Sequence, residues 1–415
     1  PSWVLENDHL RATLNPETGE ITSLIHKATG TETFSAPGNQ LQAFKDAGQY
    51  WDAWNIAPDY QDHPLAGWQL VSMQWAECGP CRQVVRVVKT FNQSTFVQDY
   101  VLDATSPYLT LRTEVDWQET QVLVKAAFPL TVSASHATYE IPFGAIQRAT
   151  DPQAPEDKAK WEVPALRWAD MSQGEGIGNQ VTGNWNAESQ ILGTQITDHQ
   201  NTGNQSIEGR GVSILTDYKH GFDATPNQLR LTLLKAPLWP DPTADRGQQA
   251  FTYAIYPHAG GWQAAKTVQQ ARNLNIPVQP ISVQPCLHAQ GMSMDDWADA
   301  SDWPISSSCR GTGSFLKVGN TTWVLSAFKL SEDREHQVIL RGYESAGLAG
   351  KLSLEGSLEW RNIAPVTLLE QPILGNRTDD AVEANTIRIA PWQIGSFWGV
   401  IRTPNWPEQA VSHNT

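Results

Sequence analysis

The stretch Asp217–His258, DYKHGFDATPNQLRLTLLKAPLWPDPTADRGQQAFTYAIYPH, decides how this chain is read. Two apolar runs, Leu229–Lys235 and Phe251–His258, have strand length and strand composition. The connection between them, Pro237–Gly247, is too rich in proline and aspartate to continue either run. It carries Asp241, Asp245, Arg246 and Trp239, with Asp223 nearby. Clustered carboxylates, a guanidinium and an indole suit the recognition of a sugar, and they equally suit a stiff turn.

Outward from this stretch the pattern stays β. Tyr108–Trp117 alternates cleanly: Leu109, Leu111, Thr113, Val115 and Trp117 face one way, and Thr110, Arg112, Glu114 and Asp116 the other. Trp3–Leu14, Ile21–Ile25, Val84–Phe91, Phe96–Leu102, Val122–Leu130 and Tyr139–Ile146 read as further strands. One helix is predicted, Trp262–Leu274, with Ala264, Ala265, Val268 and Ala271 on one stripe and Pro277 beyond its end. A second group of strands follows: Trp323–Leu330, Val338–Glu344, Leu352–Trp360, Val366–Glu370, Ile387–Ala390 and Ser396–Val400. The fold class is therefore all-β, a large antiparallel sandwich followed by a smaller one. The boundaries fall at 1–276, a linker or covering loop at 277–310, the small sandwich at 311–403 and a tail at 404–415. A polar Gly/Asn/Gln-rich excursion occupies about 172–210.

Composition narrows the function. The net charge of -15 disfavours nucleic acid and anionic membrane surfaces as partners. No apolar run approaches the roughly 20 residues that span a bilayer. Four cysteines are too few for a disulfide framework in 415 residues. Cys78-Gly79-Pro80-Cys81 is a C-x-x-C between two strand-like flanks, which favours a turn over a zinc or redox site. Nucleotide, Walker, zincin and nucleophile-elbow motifs are absent. The sequence starts without Met or a signal pattern, and we expect a portion of a longer polypeptide.

Candidate acids beside aromatics are Asp52 (between Trp51 and Trp54), Asp116 with Glu119, Asp170, and Asp241 with Asp245. A glycosidase needs two such groups, and each of these has a structural alternative. Asp116 is expected to pair with Arg112, Asp52 to bond a turn backbone, and Asp241 to initiate a turn. His220 and His258 are an alternative acid–base pair for a mutarotase-like reaction, although His258 reads as a strand-end surface residue. Trp117 and Trp360 fall on apolar faces and read as core. Trp51, Trp54 and Trp239 fall in polar loops, where sugar stacking gains weight.

Several stretches resemble the C-terminal β-region of family 38 α-mannosidases, particularly the cytosolic and vacuolar type. They include Gly19-Glu20-Ile21-Thr22-Ser23-Leu24, Tyr50-Trp51-Asp52-Ala53-Trp54-Asn55, Val115-Asp116-Trp117-Gln118-Glu119 and Tyr139-Glu140-Ile141-Pro142-Phe143-Gly144. The likeness is densest from Gly211 to His258 and continues through Leu340-Arg341-Gly342-Tyr343-Glu344. Asn55 and Lys235 stand where the family commonly has Asp and Arg. The resemblance implies a galactose-mutarotase-like supersandwich followed by a small sandwich. It implies an α-mannoside or oligosaccharide substrate, a cytoplasmic location, and an N-terminal catalytic domain of the same polypeptide as partner. It places the zinc ligands and the aspartate nucleophile in that domain, so this chain alone is expected to hold no cofactor and to be inactive. Arg246 and Asp245 become expected sugar contacts, with Trp239, Asp52, Trp54 and His258 as further substrate-binding candidates. The alternative left open is a free-standing sugar-binding or mutarotase-like protein.

Overall fold

The computed structural model describes residues 3–48, 51–173, 209–279 and 314–402, the last with gaps at 315, 321, 335–336, 357, 374–381 and 384–385. The polar excursion, the covering loop and the tail fall almost wholly outside the described residues. The chain divides into two compact units, Pro1–Pro277 and Val278–Thr415.

The first unit is an antiparallel supersandwich. Its larger sheet has nine strands in the order Gly144–Ala149, His136–Ile141, Trp168–Gln173, Arg210–Thr216, Gly247–Ala259, Leu109–Trp117, Ser94–Asp103, Arg82–Phe91 and Trp68–Cys78. Its partner has six: Val163–Pro164, Gly221–Thr225, Gln228–Leu234, Val122–Pro129, Gln40–Lys45 and Pro64–Leu65. A four-stranded sheet, Val4–Glu6 to Thr31–Glu32, adds its inner face to the same core. Alternation explains the packing. In Leu109–Trp117 every odd residue is buried, and Leu111 lies opposite both Tyr253 and Tyr100. Across the core stand Val122, Val124, Ala126 and Phe128 of the smaller sheet. Trp117 is fully buried, a gross gain of roughly 4–6 kcal/mol at about 25 cal/mol per Å².

One polar chain inside this core is paired, whereas the Trp117 indole N–H has no partner among the described residues. Tyr253 donates to Asn39 at 2.6 Å, Asn39 donates to Gln98 and Tyr100, and Tyr100 donates to the Gly19 carbonyl at 2.9 Å. Burial pushes the Tyr100 and Tyr253 hydroxyls well above the usual phenol range.

The opposite face of the six-stranded sheet carries charge. The same alternation that sends Val124 and Ala126 inward sends Leu123 and Lys125 outward, under a cover formed by Ile56, Tyr60 and Trp161. Lys125 is fully buried there. It donates to Glu162, to Asp223 at 2.6 Å and to Thr232 at 2.9 Å, while Arg230 donates to Asp223 at 2.7 Å and to Tyr60 at 2.8 Å. Two cations thus face two carboxylates, and the group is closed.

The second unit holds two four-stranded antiparallel sheets. One is ordered Trp323–Leu330, Gln337–Glu344, Ile394–Arg402, Glu359–Val366; the other contains Lys317–Val318, Gly350–Glu355, Thr386–Ile389 and Val382–Glu383. Trp323, Leu340, Leu352, Trp360 and Phe397 form their shared core. Four expected strands differ, two of them in the first unit, where Trp3–Leu14 and Tyr139–Ile146 are each a hairpin of two antiparallel strands. Leu352–Trp360 is interrupted, because Gly356 takes φ +124° and the chain passes from one sheet to the other. Val366–Glu370 is mostly turn, since the Glu370 carboxylate accepts Ser331 Oγ and the Glu332 N–H and folds the chain back. The predicted helix is shorter than expected, Thr267–Asn275, after a run of turns from Trp262, and a four-residue helix, Pro155–Lys158, was not foreseen.

Candidate functional site

Two loops leave the strands that flank Val122–Pro129, one after Lys45 and one after Leu234, and they meet. Gln121 joins them through backbone: its N–H donates to Ala236 and its carbonyl accepts from Asp46. Asp46 and Asp52 then stitch loop to loop, and Asp245 ties the second loop to its own start. Asp46, buried, holds Lys235 Nζ at 2.5 Å and accepts the Ala57 N–H at 2.8 Å. Asp52, also buried, accepts the Leu238 N–H at 2.8 Å and the Trp239 N–H at 3.0 Å. Asp245 accepts the Lys235 and Ala236 N–H groups at 3.0 and 3.1 Å. Within the second loop the Trp239–Pro240 peptide is cis, and Asp241 accepts from the Thr243 N–H and hydroxyl, which hold its carboxyl below the ordinary range.

The stitched loops contain strained backbone. Trp51, Ala236 and Asp245 have φ of +56°, +51° and +60°. Such conformations cost non-glycine residues about 1–3 kcal/mol each and persist where the surroundings over-determine them. What the clamps hold outward is an aromatic cluster. The Trp51 and Trp239 ring centroids are 4.5 Å apart, Trp54 and Trp239 5.4 Å, and Trp51 and Trp54 6.2 Å. The three residues are 58%, 47% and 66% exposed for Trp51, Trp239 and Trp54, so they face solvent. Arg246 lies in the same loop, exposed, and its guanidinium has no partner among the described residues. At the loop's edge Lys219 lies over the Phe251 ring at 4.4 Å and bonds Gln249 at 3.3 Å. Burial pushes its amine below the usual lysine value, against the pull of Asp245 and Asp217.

Of the candidate binding residues, five therefore share one surface: Asp52, Trp54, Trp239, Asp245 and Arg246. Asp52 and Asp245 spend their lone pairs on backbone and act as clamps. Asp46, Gln121 and Lys219 belong to the same surface and carried no motif; their only signal was proximity in the fold. His258 lies elsewhere and is not a surface residue. The strand runs on to Ala259, the helix Thr267–Asn275 packs on the neighbouring strands Arg210–Thr216 and Trp168–Gln173, and His258 is 4% exposed. Its Nε2 is 2.8 Å from Asp170 and 3.2 Å from Ser213, which also bonds Thr267. His220 instead donates Nδ1–H to the Ala165 and Leu166 carbonyls, so the two histidines share no partner. Asp116 accepts from Gln118 at 2.5 Å rather than pairing with Arg112, because residues four apart on one strand are about 13 Å apart. Glu119 accepts from Gln93 and Ser94.

Among the described residues no three His, Cys, Asp or Glu side chains converge as ligands. The His258–Asp170 pair is enclosed, with Ser172 and Ser213 on the remaining carboxylate positions. Among the described residues no helix is long and apolar enough to cross a membrane.

Known proteins match along nearly the whole chain. The family model "Glycosyl hydrolases family 38 C-terminal domain" matches residues 5–243, and "Glycosyl hydrolases family 38 C-terminal beta sandwich domain" matches residues 322–397. "Alpha-mannosidase 2C1" of Homo sapiens is 30% identical over 409 residues, covering 97% of this chain and 34% of that protein. "Alpha-mannosidase" of Saccharomyces cerevisiae is 26% identical, covering 95% of this chain and 34% of its own length. The chain thus spans about a third of the length of the curated relatives it matches. A solved family 38 protein from Enterococcus faecalis superposes with a TM-score of 0.66 at 12% identity, over 96% of this chain and 44% of its own. The two sandwiches and these matches agree: the chain belongs to glycosyl hydrolase family 38 and corresponds to that family's C-terminal β-region.

Proposed function

We propose that this chain is the non-catalytic part of a zinc-dependent retaining α-mannosidase, bracing the catalytic domain and forming one wall of the mannoside site. The observation that carries the reading is the clamped surface built from residues 46–48, 51–57 and 235–246. Carboxylates there, Asp46 and Asp52 buried, anchor loops that carry three exposed indoles and a guanidinium with no partner among the described residues, the reverse of what a loop serving only the fold would do. Indoles suit the apolar faces of pyranose rings, and a guanidinium offers fixed donors to hydroxyls. In this reading the nucleophile and the zinc ligands lie in the two thirds of the polypeptide that the relatives carry beyond this region. This chain's own residues bind and orient the glycan and exclude water from one side.

Steady-state kinetics of the full-length enzyme on an aryl α-mannoside test the wall. Arg246→Ala is expected to lower kcat/KM on the order of 10- to 100-fold, the range of a lost charge-assisted hydrogen bond, without changing the unfolding midpoint. Unchanged kinetics would remove Arg246 from the site. The 415-residue chain by itself is expected to show no turnover, with or without added zinc, and clear hydrolysis by it would overturn the non-catalytic assignment.

A further inference from the structure

The hairpin between Trp68–Cys78 and Arg82–Phe91 turns through Cys78-Gly79-Pro80-Cys81, far in sequence from the aromatic surface and unused by it. Both cysteines are unpaired and exposed. Three bonds fix the tip. The Gly79 N–H donates to the Arg82 carbonyl at 2.9 Å, the Ala104 N–H donates to the Cys81 carbonyl at 2.9 Å, and Arg82 Nε donates to Asp103 at 2.6 Å. Cys78 pairs with Gln83 across the ladder, so the chain reverses between the two thiols. Residues three apart in an extended strand are separated by about 10 Å. A disulfide needs Cα atoms about 4.4–6.8 Å apart, a spacing that a tight reversal supplies.

We propose that Cys78 and Cys81 form a dithiol site that undergoes thiol–disulfide exchange with small-molecule disulfides and closes to an intramolecular bond. One cysteine thiolate attacks a sulfur of the small disulfide; the mixed disulfide forms and one small thiolate leaves. The second cysteine thiolate then attacks the protein sulfur of that mixed disulfide. The S–S bond within the hairpin forms, the second small thiolate leaves, and the two departing thiolates take up the two cysteine protons. Each protein sulfur loses one electron, and the small disulfide is reduced to two thiols. Closing a loop this short removes little entropy from the unfolded chain, so the bond is not a structural staple. An exposed bond of this kind sits among the readily reduced disulfides, which makes the closure reversible.

The test incubates the folded full chain with oxidised glutathione, quenches with iodoacetamide and weighs the peptide that contains both residues. The expected product has lost two hydrogens, carries neither alkyl group nor glutathione, and regains two alkylatable thiols after reduction. The single variants Cys78→Ser and Cys81→Ser, at an exposed turn where folding is undisturbed, are each expected to keep a glutathione on the remaining thiol. The proposal is overturned if both thiols stay alkylatable under conditions that oxidise a free dithiol peptide. It is equally overturned if the wild-type peptide stops at a glutathione adduct, or if the cysteines link to Cys286, Cys309 or a second chain instead.

Discussion

Asp52 joins the two loops with one carboxylate, accepting one N–H on each oxygen. Asp52→Ala removes the charged acceptor from the part-buried N–H groups of Leu238 and Trp239, a loss of about 1.5–3 kcal/mol for the clamp. Denaturant titration should show a lower midpoint, and an unchanged midpoint would mean that water or another group replaces the clamp. Asp52 as a backbone acceptor was legible in the sequence, because a short acid among non-periodic aromatics suits a turn. Its partner was not, since nothing local points from Asp52 to Leu238. His258 was misread for the same reason: burial at a strand's end depends on what covers it. Lys125 and Glu162 were likewise invisible as a pair. Lys125 faces two carboxylates and is held protonated well above the usual lysine range, although burial opposes this. Glu162 shares that one ammonium with Asp223, which has Arg230 as well, and burial raises the Glu162 pKa above its ordinary value of 4.5. A carboxyl raised on folding contributes stability that is full below the unfolded pKa and is lost as pH rises through the folded one. Glu162→Gln should therefore flatten the decline in stability from about pH 4.5 upward, read as denaturation midpoints across pH 4–8. Lys125→Met is expected to cost about 3–5 kcal/mol at neutral pH by leaving carboxylates buried without their cation.

At the scale of elements, strands with period-two burial were read well and strands defined by their breaks were not. Leu109–Trp117 matches its expected alternation residue for residue. Leu352–Trp360 keeps the same alternation across Gly356, so periodicity alone cannot show that the chain changes sheets there. The turn Asn15–Gly19 is more tightly constrained than its composition suggests. Gly19 has φ +67°, its carbonyl accepts from Tyr100, and an added Cβ would stand 2.5 Å from Val87 Cγ1. Gly19→Ala combines left-handed strain of about 1–2 kcal/mol with overpacking of about 1–3 kcal/mol. A loss of at least about 2 kcal/mol is expected by chemical denaturation, and a loss below about 0.5 kcal/mol would show that the turn relaxes freely.

At the scale of the molecule, composition and alternation sufficed for an all-β chain, whereas the supersandwich came from the resemblance. Strand pairing joins residues too distant in sequence for periodicity to connect: Leu109–Trp117 pairs with Gly247–Ala259 across the whole first unit. The first unit has a contiguous core of its own, drawn from three sheets. Residues 3–277 expressed by themselves are expected to unfold in one cooperative transition. A broad, non-cooperative melt would show that this core depends on other parts of the polypeptide.

The clamp between Asp52 and Leu238 spans 186 residues of sequence. At roughly 5–20 residues per second of synthesis, about 10–40 s separate the emergence of its two halves from the ribosome. Through that interval Trp51, Trp54 and two acids destined for burial wait on a nascent chain that cannot yet hold them. A contact of such high order forms only after the intervening strands have closed the distance. The indole surface therefore cannot be completed before Trp239 has been synthesised and brought beside Trp51 and Trp54.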